Sequence, residues 1–461
     1  MISGFACATL LMAELMTTDR AQTAGGFKLP ASATRILSNG VRVHVMEYHE
    51  LPLVDLHVVI AAGAAQDPAG KEGLADLVAG LLRKGAAARS AQEVAEAVDF
   101  VGGSLEASAD PDGTRVTAEF MIKDLDLGLE LLGDALMRPA FTTEEIERLK
   151  GETIAELKAA RENPSLLASR RFLQILYGDH PYAHPTPGYE ESVASITPED
   201  VRRFYKEHYT PDAAIVVAVG DFKAEEMFAK LEKTLGPWTG RAAAPAPLPA
   251  PTPPRARSIH LIDKPDQTQS QIRIGGIGIK RTDPDYAAVQ VANTILGGGF
   301  TSRLVEEIRV NRGLSYGVSS RFIPLVHEGP FMIVTFTKNA TTLETTKVAL
   351  QLLEKFRKDG PTEEEVDKAR RYLRGNFAIG HQSPESMAAV LAEMAFFDLP
   401  RDYYDTYLNR VAAVGVDDVK RVATAKFPFE HLSIVVLGQA AAVKKDLETL
   451  GPVASAPLAA R

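Results

Sequence analysis

The chain has 461 residues, is 45% hydrophobic and carries a formal net charge of −9 at pH 7. This length and apolar content predict a large core spread over more than one domain, and they exclude an intrinsically disordered chain. The acidic balance argues against a nucleic-acid partner. The single cysteine, Cys7, excludes an intrachain disulfide and a cysteine-based zinc site.

Residues 1–27 are predicted to be a leader or a disordered N-terminus. Residues 2–16 are mostly apolar, and Thr23-Ala24-Gly25 offers the small residues of a cleavage site, but no Lys or Arg precedes the apolar segment. A secretory leader and a disordered end therefore both stay open. No later stretch reaches the roughly 20 apolar residues that a membrane helix needs.

Residues 28–241 form the first predicted domain, in which strands come in pairs and helices follow one another. Alternating β-branched residues predict strands, and a helical spacing of apolar residues predicts helices. The predicted strands are 42–47, 54–61, 103–109, 115–121 and 214–220. The predicted helices include 74–83, 91–101, 125–137 and 143–161, and a further helix begins after Thr197, a plausible cap.

Residues 242–256 are rich in Pro and Ala, which predicts a stiff, extended linker. A second domain, 257–445, follows with predicted strands at 258–262, 271–276, 317–322, 329–337 and 432–438. Residues 446–461 are predicted to be a flexible tail. Strands that come in pairs and helices that follow one another indicate an α+β fold. Each half is then an antiparallel-rich β-sheet covered by a layer of α-helices.

The two halves are predicted to be homologous copies, because landmarks recur at a nearly constant spacing. The spacings are 419 − 201 = 218 for a helix valine, 438 − 220 = 218 for a strand-end glycine, 366 − 146 = 220 for a helix start and 283 − 67 = 216 for an Asp-Pro pair. Such a period points to gene duplication.

Five motifs carry a resemblance to a known family. They are Gly73-Leu74-Ala75, Glu162-Asn163-Pro164, Asp179-His180-Pro181-Tyr182, Gly297-Gly298-Gly299-Phe300-Thr301-Ser302-Arg303-Leu304, and Arg309 with Gly313-Leu314-Ser315-Tyr316. With the two-half plan, they resemble the pitrilysin/insulinase family of inverzincin zinc peptidases over residues 28–445. The subgroup is that of the mitochondrial processing peptidase and bacterial heterodimeric peptidases.

Active members carry His-x-x-Glu-His after Gly-Leu-Ala, where the histidines bind zinc and the glutamate activates water. Here the corresponding positions are Asp76, Ala79 and Gly80, while Glu156 matches the distal glutamate ligand at 156 − 80 = 76 positions further on. Two carboxylates without an imidazole do not make a tight zinc site. The resemblance therefore implies no metal in this chain and zinc in a partner subunit. The alternative role for Glu156 is a solvated helix carboxylate.

Active members also need an arginine and a tyrosine seven positions apart, and here 316 − 309 = 7. The resemblance implies that the Tyr316 hydroxyl donates to the oxyanion of the reacting carbonyl and that Arg309 binds substrate carbonyls. Residue types alone leave another interpretation open. In it, Tyr316 begins a buried strand and Arg309 forms an ion pair with Glu306 or Glu307.

Two further patterns imitate catalytic motifs. Gly313-Leu314-Ser315-Tyr316-Gly317 matches the Gly-x-Ser-x-Gly nucleophile elbow, but that motif needs a strand before the turn and a helix after it, and the predicted order is reversed. His180 and His184 have the spacing of paired ligands, yet the prolines that follow each of them disrupt a regular helix, so both are predicted to be loop histidines.

The glycine run Gly297-Gly298-Gly299 lacks the Lys-Ser/Thr of a phosphate-binding loop. The resemblance implies that it contacts substrate beside the catalytic chamber, and ordinary turn chemistry is the alternative.

The resemblance, together with the missing zinc ligands, implies a noncatalytic, zinc-lacking subunit of a heterodimeric zinc metalloendopeptidase that cleaves unfolded peptides. Its partner would be a homologous sister chain with the zinc motif, in the periplasm or cytoplasm of a bacterium. The alternatives are a structural scaffold of the same fold and, less favoured, a serine hydrolase acting through Ser315.

Overall fold

The computed structural model describes residues 28–242 and 248–457. It contains two six-stranded mixed sheets, one in each half, both covered by helices. The predicted α+β fold with two similar halves is confirmed. The segment 1–27, with its possible leader and Cys7, lies outside the described residues, as do linker residues 243–247 and tail residues 458–461.

The first sheet has the strand order β1-β2-β6-β3-β5-β4. Its strands are β1 (Ser32–Ile36), β2 (Arg42–Glu47), β3 (Leu53–Ile60), β4 (Ser104–Ala109), β5 (Thr114–Met121) and β6 (Ala214–Gly220). Only the β2–β6 pair is parallel, so the sheet is rich in antiparallel pairs. All seven residues of β6 are buried, which explains its unbroken apolar sequence at the centre of the sheet.

Eight helices belong to the described part of the first half. They are α1 (Leu74–Leu81), α2 (Ala91–Phe100), α3 (Leu125–Met137), α4 (Thr143–Ala160), α5 (Pro164–Tyr177), α6 (Glu190–Ser195), α7 (Pro198–His208) and α8 (Ala224–Leu235). Helix α7 begins as its sequence predicts: the Thr197 side chain accepts a hydrogen bond from the Asp200 N–H, and Pro198 occupies the first turn.

The second sheet repeats the plan in the order β12-β7-β11-β8-β10-β9. Its strands are β7 (Ser258–Asp263), β8 (Gln269–Ile277), β9 (Val318–Phe322), β10 (Pro330–Lys338), β11 (Ser433–Gly438) and β12 (Val453–Pro457). The helices are α9 (Tyr286–Asn293), α10 (Thr342–Asp359), α11 (Glu363–Ile379), α12 (Pro384–Phe396), α13 (Tyr403–Ala413), α14 (Val416–Lys426) and α15 (Ala440–Leu447). Thr294–Gly298 and Val305–Asn311 form π-helical turns.

Each sheet has one edge strand that breaks the repeat: β1 at the beginning of the described chain in the first sheet, and β12 at its end in the second. β1 lies antiparallel to β2, whereas β12 lies parallel to β7. The flexible tail predicted for 446–461 is therefore wrong at Val453–Pro457, because this segment satisfies its backbone hydrogen bonds on the free edge of β7. Neither edge strand was predicted, since their mostly exposed side chains carry no apolar alternation.

The halves exchange one helix each. α5 of the first half packs on β8 and β11 of the second sheet, and α12 of the second half packs on β3 and β6 of the first sheet. These helices occupy equivalent places in the repeat, because Pro164 and Pro384 are 384 − 164 = 220 positions apart. The reciprocal packing joins both halves through their cores.

The described residues contain no helix with the length and apolar character of a membrane span.

Candidate functional site

The predicted pair of Arg309 and Tyr316 comes together on the surface of the second half. The Arg309 guanidinium carbon lies 4.9 Å from the centre of the Tyr316 ring, which is within the range of a cation–π contact. Tyr316 is 78% exposed, so its hydroxyl is open to a ligand. The proposal that Tyr316 begins a buried strand is wrong.

A tight turn brings the two side chains together. Arg309 lies in the last turn of the π-helical segment Val305–Asn311, and the Leu314 N–H then donates back to Ile308 O at 2.9 Å. The turn between them passes through Gly313 at φ +60°, a left-handed conformation that glycine adopts without steric cost. The chain therefore reverses within seven residues and places Tyr316 beside Arg309.

The segment around Tyr316 is fastened to strand β10. Thr337 Oγ1 donates to Leu314 O at 2.7 Å, and Thr335 Oγ1 donates to Gly317 O at 3.0 Å. Both threonines are buried. Tyr316 therefore projects from a backbone that is held on both sides, which is the support that a positioned donor needs.

Arg309 forms no ion pair with any described residue. Its neighbour Glu307 is engaged elsewhere, accepting from Arg312 Nε at 2.7 Å and from Asn311 Nδ2 at 3.0 Å. These bonds, led by the one from Asn311, lower the pKa of Glu307. The guanidinium therefore keeps its planar donors for an external acceptor, and the predicted alternative of a pair with Glu306 or Glu307 is wrong.

The glycine run lies next to this pair. Gly297 is buried, and a side chain there would begin 2.6 Å from the Ser320 backbone nitrogen of β9, so close approach of two backbones requires glycine. Of the three glycines, only Gly298 is exposed. Substrate contact by Gly297, Gly298 and Gly299 stays a prediction, and the exposed Gly298 is the best placed for it.

The run is followed by an aromatic residue, Phe300, for which no separate role is predicted from the sequence. Phe300 is 72% exposed, and its ring centre lies 5.0 Å from the Arg309 guanidinium carbon. The only signal in the sequence was its place inside the glycine-rich motif.

The degenerate zinc positions lie together in the first half. Asp76 on α1 is half-buried and accepts a long hydrogen bond of 3.5 Å from the Ala109 N–H of β4. Burial raises the pKa of Asp76, and the nearby charge of Glu156 on α4 adds to the rise. The two carboxylates at the degenerate zinc positions are therefore near enough for the charge of one to affect the other.

These residues do not fit a zinc ion. Ala79 is buried and offers no donor atom, and Gly80 has no side chain; a Cβ there would lie 3.1 Å from Leu149 Cδ2. Across residues 28–242 and 248–457, no group of three or more His, Cys, Asp or Glu could hold a metal. Glu156 is exposed, as expected of a solvated helix carboxylate.

The Gly-x-Ser-x-Gly pattern and the His180 and His184 pair, which resemble catalytic motifs in sequence, have structural roles. Ser315 is buried, and its hydroxyl donates to Gly317 O at 2.8 Å within its own turn. His180 is a loop histidine, as predicted: its Nδ1 accepts from the Tyr182 N–H at 3.0 Å, and its Nε2 lies 2.8 Å from Pro249 O of the linker. His184 Nδ1 lies 3.3 Å from Pro185 O.

Fold and site together define a protein of the two-domain zinc-peptidase architecture whose described residues provide no zinc site. The family model described as insulinase (peptidase family M16) matches residues 43–188, and the one described as peptidase M16 inactive domain matches residues 195–373. The chain belongs to the peptidase M16 family, which confirms the resemblance to pitrilysin and insulinase.

Solved and curated relatives agree with this assignment. A peptidase M16 inactive domain of Pseudomonas fluorescens is 30% identical with a TM-score of 0.85, over 89% of this chain and 99% of that one. An uncharacterized zinc protease of Mycobacterium leprae is 28% identical over 77% of this chain and 80% of its own length. A non-peptidase homolog of Helicobacter pylori is 25% identical over 87% and 91%. These findings fit a noncatalytic member of the family.

Proposed function

We propose that this chain is the zinc-lacking subunit of a heterodimeric zinc endopeptidase that cleaves unfolded peptides. A homologous sister chain would supply the zinc ion and the general base. This chain would supply Arg309 and Tyr316 to the reacting peptide bond. Neither chain would be active alone.

The observation that carries the proposal is the arrangement and exposure of the Arg309 and Tyr316 side chains. The two side chains lie side by side, the phenol is exposed, and the guanidinium has no carboxylate partner in the described chain. Arg309 is half-buried and forms no ion pair with a described residue, so its guanidinium is not neutralised by a neighbouring carboxylate. Donors held free in this way suit the binding of a peptide carbonyl and of the oxyanion derived from it.

The roles follow from the chemistry of each group. The Tyr316 hydroxyl has one proton to donate and would donate it to the oxygen on which negative charge develops. The planar guanidinium of Arg309 has a fork of N–H groups, which would hold a substrate backbone carbonyl.

Edge strand β9 supports the choice of an extended peptide as substrate. β9 pairs with β10 on one side and is the last strand of its sheet. It begins 318 − 316 = 2 residues after Tyr316. An unfolded peptide could pair with this open edge and bring its backbone to Tyr316, as in other cases of strand addition.

The proposal is tested by co-expressing this chain with a sister chain that carries His-x-x-Glu-His and measuring cleavage of a quenched peptide. Tyr316→Phe removes one proton donor and keeps the ring, so we expect kcat to fall by about 10²–10³. Zinc content and assembly of the complex should not change. Tyr372→Phe, on the half-exposed tyrosine of α11, is the matched control and should be silent.

Two outcomes would contradict the proposal. A stable complex without peptidase activity would support the scaffold alternative. Activity of the isolated chain that Ser315→Ala abolishes would support the hydrolase, although the Ser315 hydroxyl donates within its own turn.

A further inference from the structure

We propose that Phe300 is a third member of the Arg309 and Tyr316 site, with two linked roles. It positions the Arg309 guanidinium, and it binds an apolar side chain of the substrate next to the carbonyl that Arg309 holds. This inference rests on the proposed function and deepens it, since it names the substrate class: unfolded peptides with an apolar residue beside the cleaved bond.

The positioning role follows from the contact that two aromatic rings make with one guanidinium. The Arg309 guanidinium carbon lies 5.0 Å from the centre of the Phe300 ring and 4.9 Å from that of the Tyr316 ring. Both distances are within the range of a cation–π contact. Both rings therefore contact the same guanidinium, although they lie 16 residues apart in the sequence.

Aromatic rings suit this task better than a carboxylate would. A carboxylate would hold the guanidinium by occupying its N–H groups, and would then compete with the substrate carbonyl. A ring face attracts the cation and leaves in-plane N–H groups free. It also limits the rotamers of a long side chain before binding, which lowers the entropy lost when the substrate binds.

The backbone on both sides of Phe300 is well supported. On one side Gly297 packs against Ser320, and the Asn293 side chain donates to Ser320 O at 3.0 Å. On the other side Arg303 binds Glu365 through two N–H groups at 2.6 and 2.7 Å. A large apolar side chain on a fixed loop, mostly in water, is typical of a binding surface.

The selectivity follows from where the substrate must lie. A residue whose carbonyl accepts from Arg309 brings its own side chain within reach of the ring that stacks on Arg309. An apolar side chain buries area against Phe300, whereas a small polar side chain does not. One such contact commonly changes kcat/KM by about tenfold or more.

The positioning role is measured on the isolated, full chain by NMR of the arginine side-chain Nε–H groups. The Arg309 signal is identified by its loss in Arg309→Lys. Ring currents from Phe300 and Tyr316 should place it upfield, and Phe300→Ala should move it toward the position of an arginine without ring contacts. Phe100→Ala, the same change at an exposed phenylalanine of α2, should leave it in place.

The selectivity is measured in the complex with the sister chain. The probes are quenched peptides identical except for Leu or Ser at each position flanking the cleaved bond. The wild-type complex should prefer Leu at one of these positions by about tenfold, and Phe300→Ala should reduce this preference to about twofold or less. Phe300→Leu should restore the preference, because it retains apolar area, and should not restore the NMR shift.

The outcomes separate this inference from the proposed function. An active complex that needs Tyr316 but is indifferent to Phe300→Ala, in both selectivity and NMR shift, would overturn the inference alone. A complex that is inactive, or unaffected by Tyr316→Phe, would overturn the proposed function and the selectivity with it. The NMR shift would still decide the positioning role.

Discussion

Asp55 of β3 is a carboxylate buried where the two halves meet. It is 2% exposed, it lies opposite Glu119 of β5, and its Oδ2 has no hydrogen-bond partner among the described residues. Burial raises the pKa of Asp55 to about 7, and the charges of Glu119 and of Glu385 on α12 add to the rise. The folded protein therefore keeps a proton that an exposed aspartate would release.

This proton makes stability depend on pH. The folded-state pKa lies above the ordinary value of 3.8, so unfolding releases a proton between about pH 4 and 7, and the free energy of unfolding falls as pH rises. Asp55→Asn removes the effect. We therefore compare the free energy of unfolding of the variant with that of wild type at pH 5 and at pH 8. We expect the difference to shift in favour of the variant by about 1 kcal/mol or more from pH 5 to pH 8. Urea unfolding at both pH values measures the gain.

The control for this prediction uses an exposed carboxylate. Burial lowers the pKa of His57 to about 4, so His57 makes the free energy of unfolding rise with pH. This contribution is present in wild type and in the variant, and it therefore cancels in their difference. Asp99→Asn, at the exposed end of α2, should give the same difference at both pH values. An equal stability change for Asp55→Asn at pH 5 and pH 8 would contradict the prediction.

At the scale of elements, helix α5 holds the second sheet through a buried arginine. Arg273 of β8 is 0% exposed. It donates to Ser169 Oγ at 2.9 Å and to Ser165 Oγ at 2.6 Å, which lie one turn apart on α5. Burial lowers the pKa of Arg273 to about 10, and the charge of Arg321 adds to the lowering. No carboxylate pairs with Arg273 in the described chain, so hydroxyls and carbonyls carry its hydrogen bonds.

Removing these hydroxyls should weaken the contact between α5 and the second sheet. In Ser165→Ala/Ser169→Ala a buried cation loses two acceptors, so we expect a loss of about 1–3 kcal/mol in the free energy of unfolding. Chemical denaturation measures it. Ser455→Ala, on exposed edge strand β12, should cost little. A double variant as stable as this control would mean that the hydrogen bonds of Arg273 do not stabilise the packing of α5 on the second sheet.

At the scale of the whole molecule, a polar network joins the halves near the linker. Tyr182 donates to Asp112 in the first half and accepts from the His327 N–H of the second at 3.3 Å. The Val326 N–H donates to the same Asp112 carboxylate at 2.8 Å. The loop between β9 and β10 is therefore fixed to the first half, and with it the strand that follows Tyr316.

Tyr182→Phe should loosen this junction while preserving the ring. The variant leaves the buried Asp112 without one donor, at a cost of about 1–3 kcal/mol. We expect a lower melting temperature and faster proteolysis of the native protein at the linker. Tyr205→Phe, which removes a hydrogen bond to Leu136 O inside the first half, should lower the melting temperature without exposing the linker. Equal proteolysis in both variants would show that Tyr182 has no special part in joining the halves.

Much of this could be predicted from the sequence. The inner strands of both sheets follow local alternation or, as in β6 and β11, continuous apolar runs, and the spacing of seven placed Tyr316 beside Arg309 once the family resemblance was recognised. Edge strands β1 and β12 could not be predicted in this way, because they are held by backbone bonds to β2 and β7 rather than by an apolar face. Phe300 was missed because its partner Arg309 lies nine residues away across a turn.

The sequence by itself determined the repeat, the α+β class and the loss of zinc ligands at Asp76, Ala79 and Gly80, because each depends on which residues stand at a fixed spacing. Only the tertiary structure decided which side chains meet between distant segments. The reciprocal packing of α5 and α12 and the buried Asp55 beside Glu385 depend on how the two halves fold against each other. Such contacts depend on the shapes of two packed surfaces, which no local pattern of residues encodes.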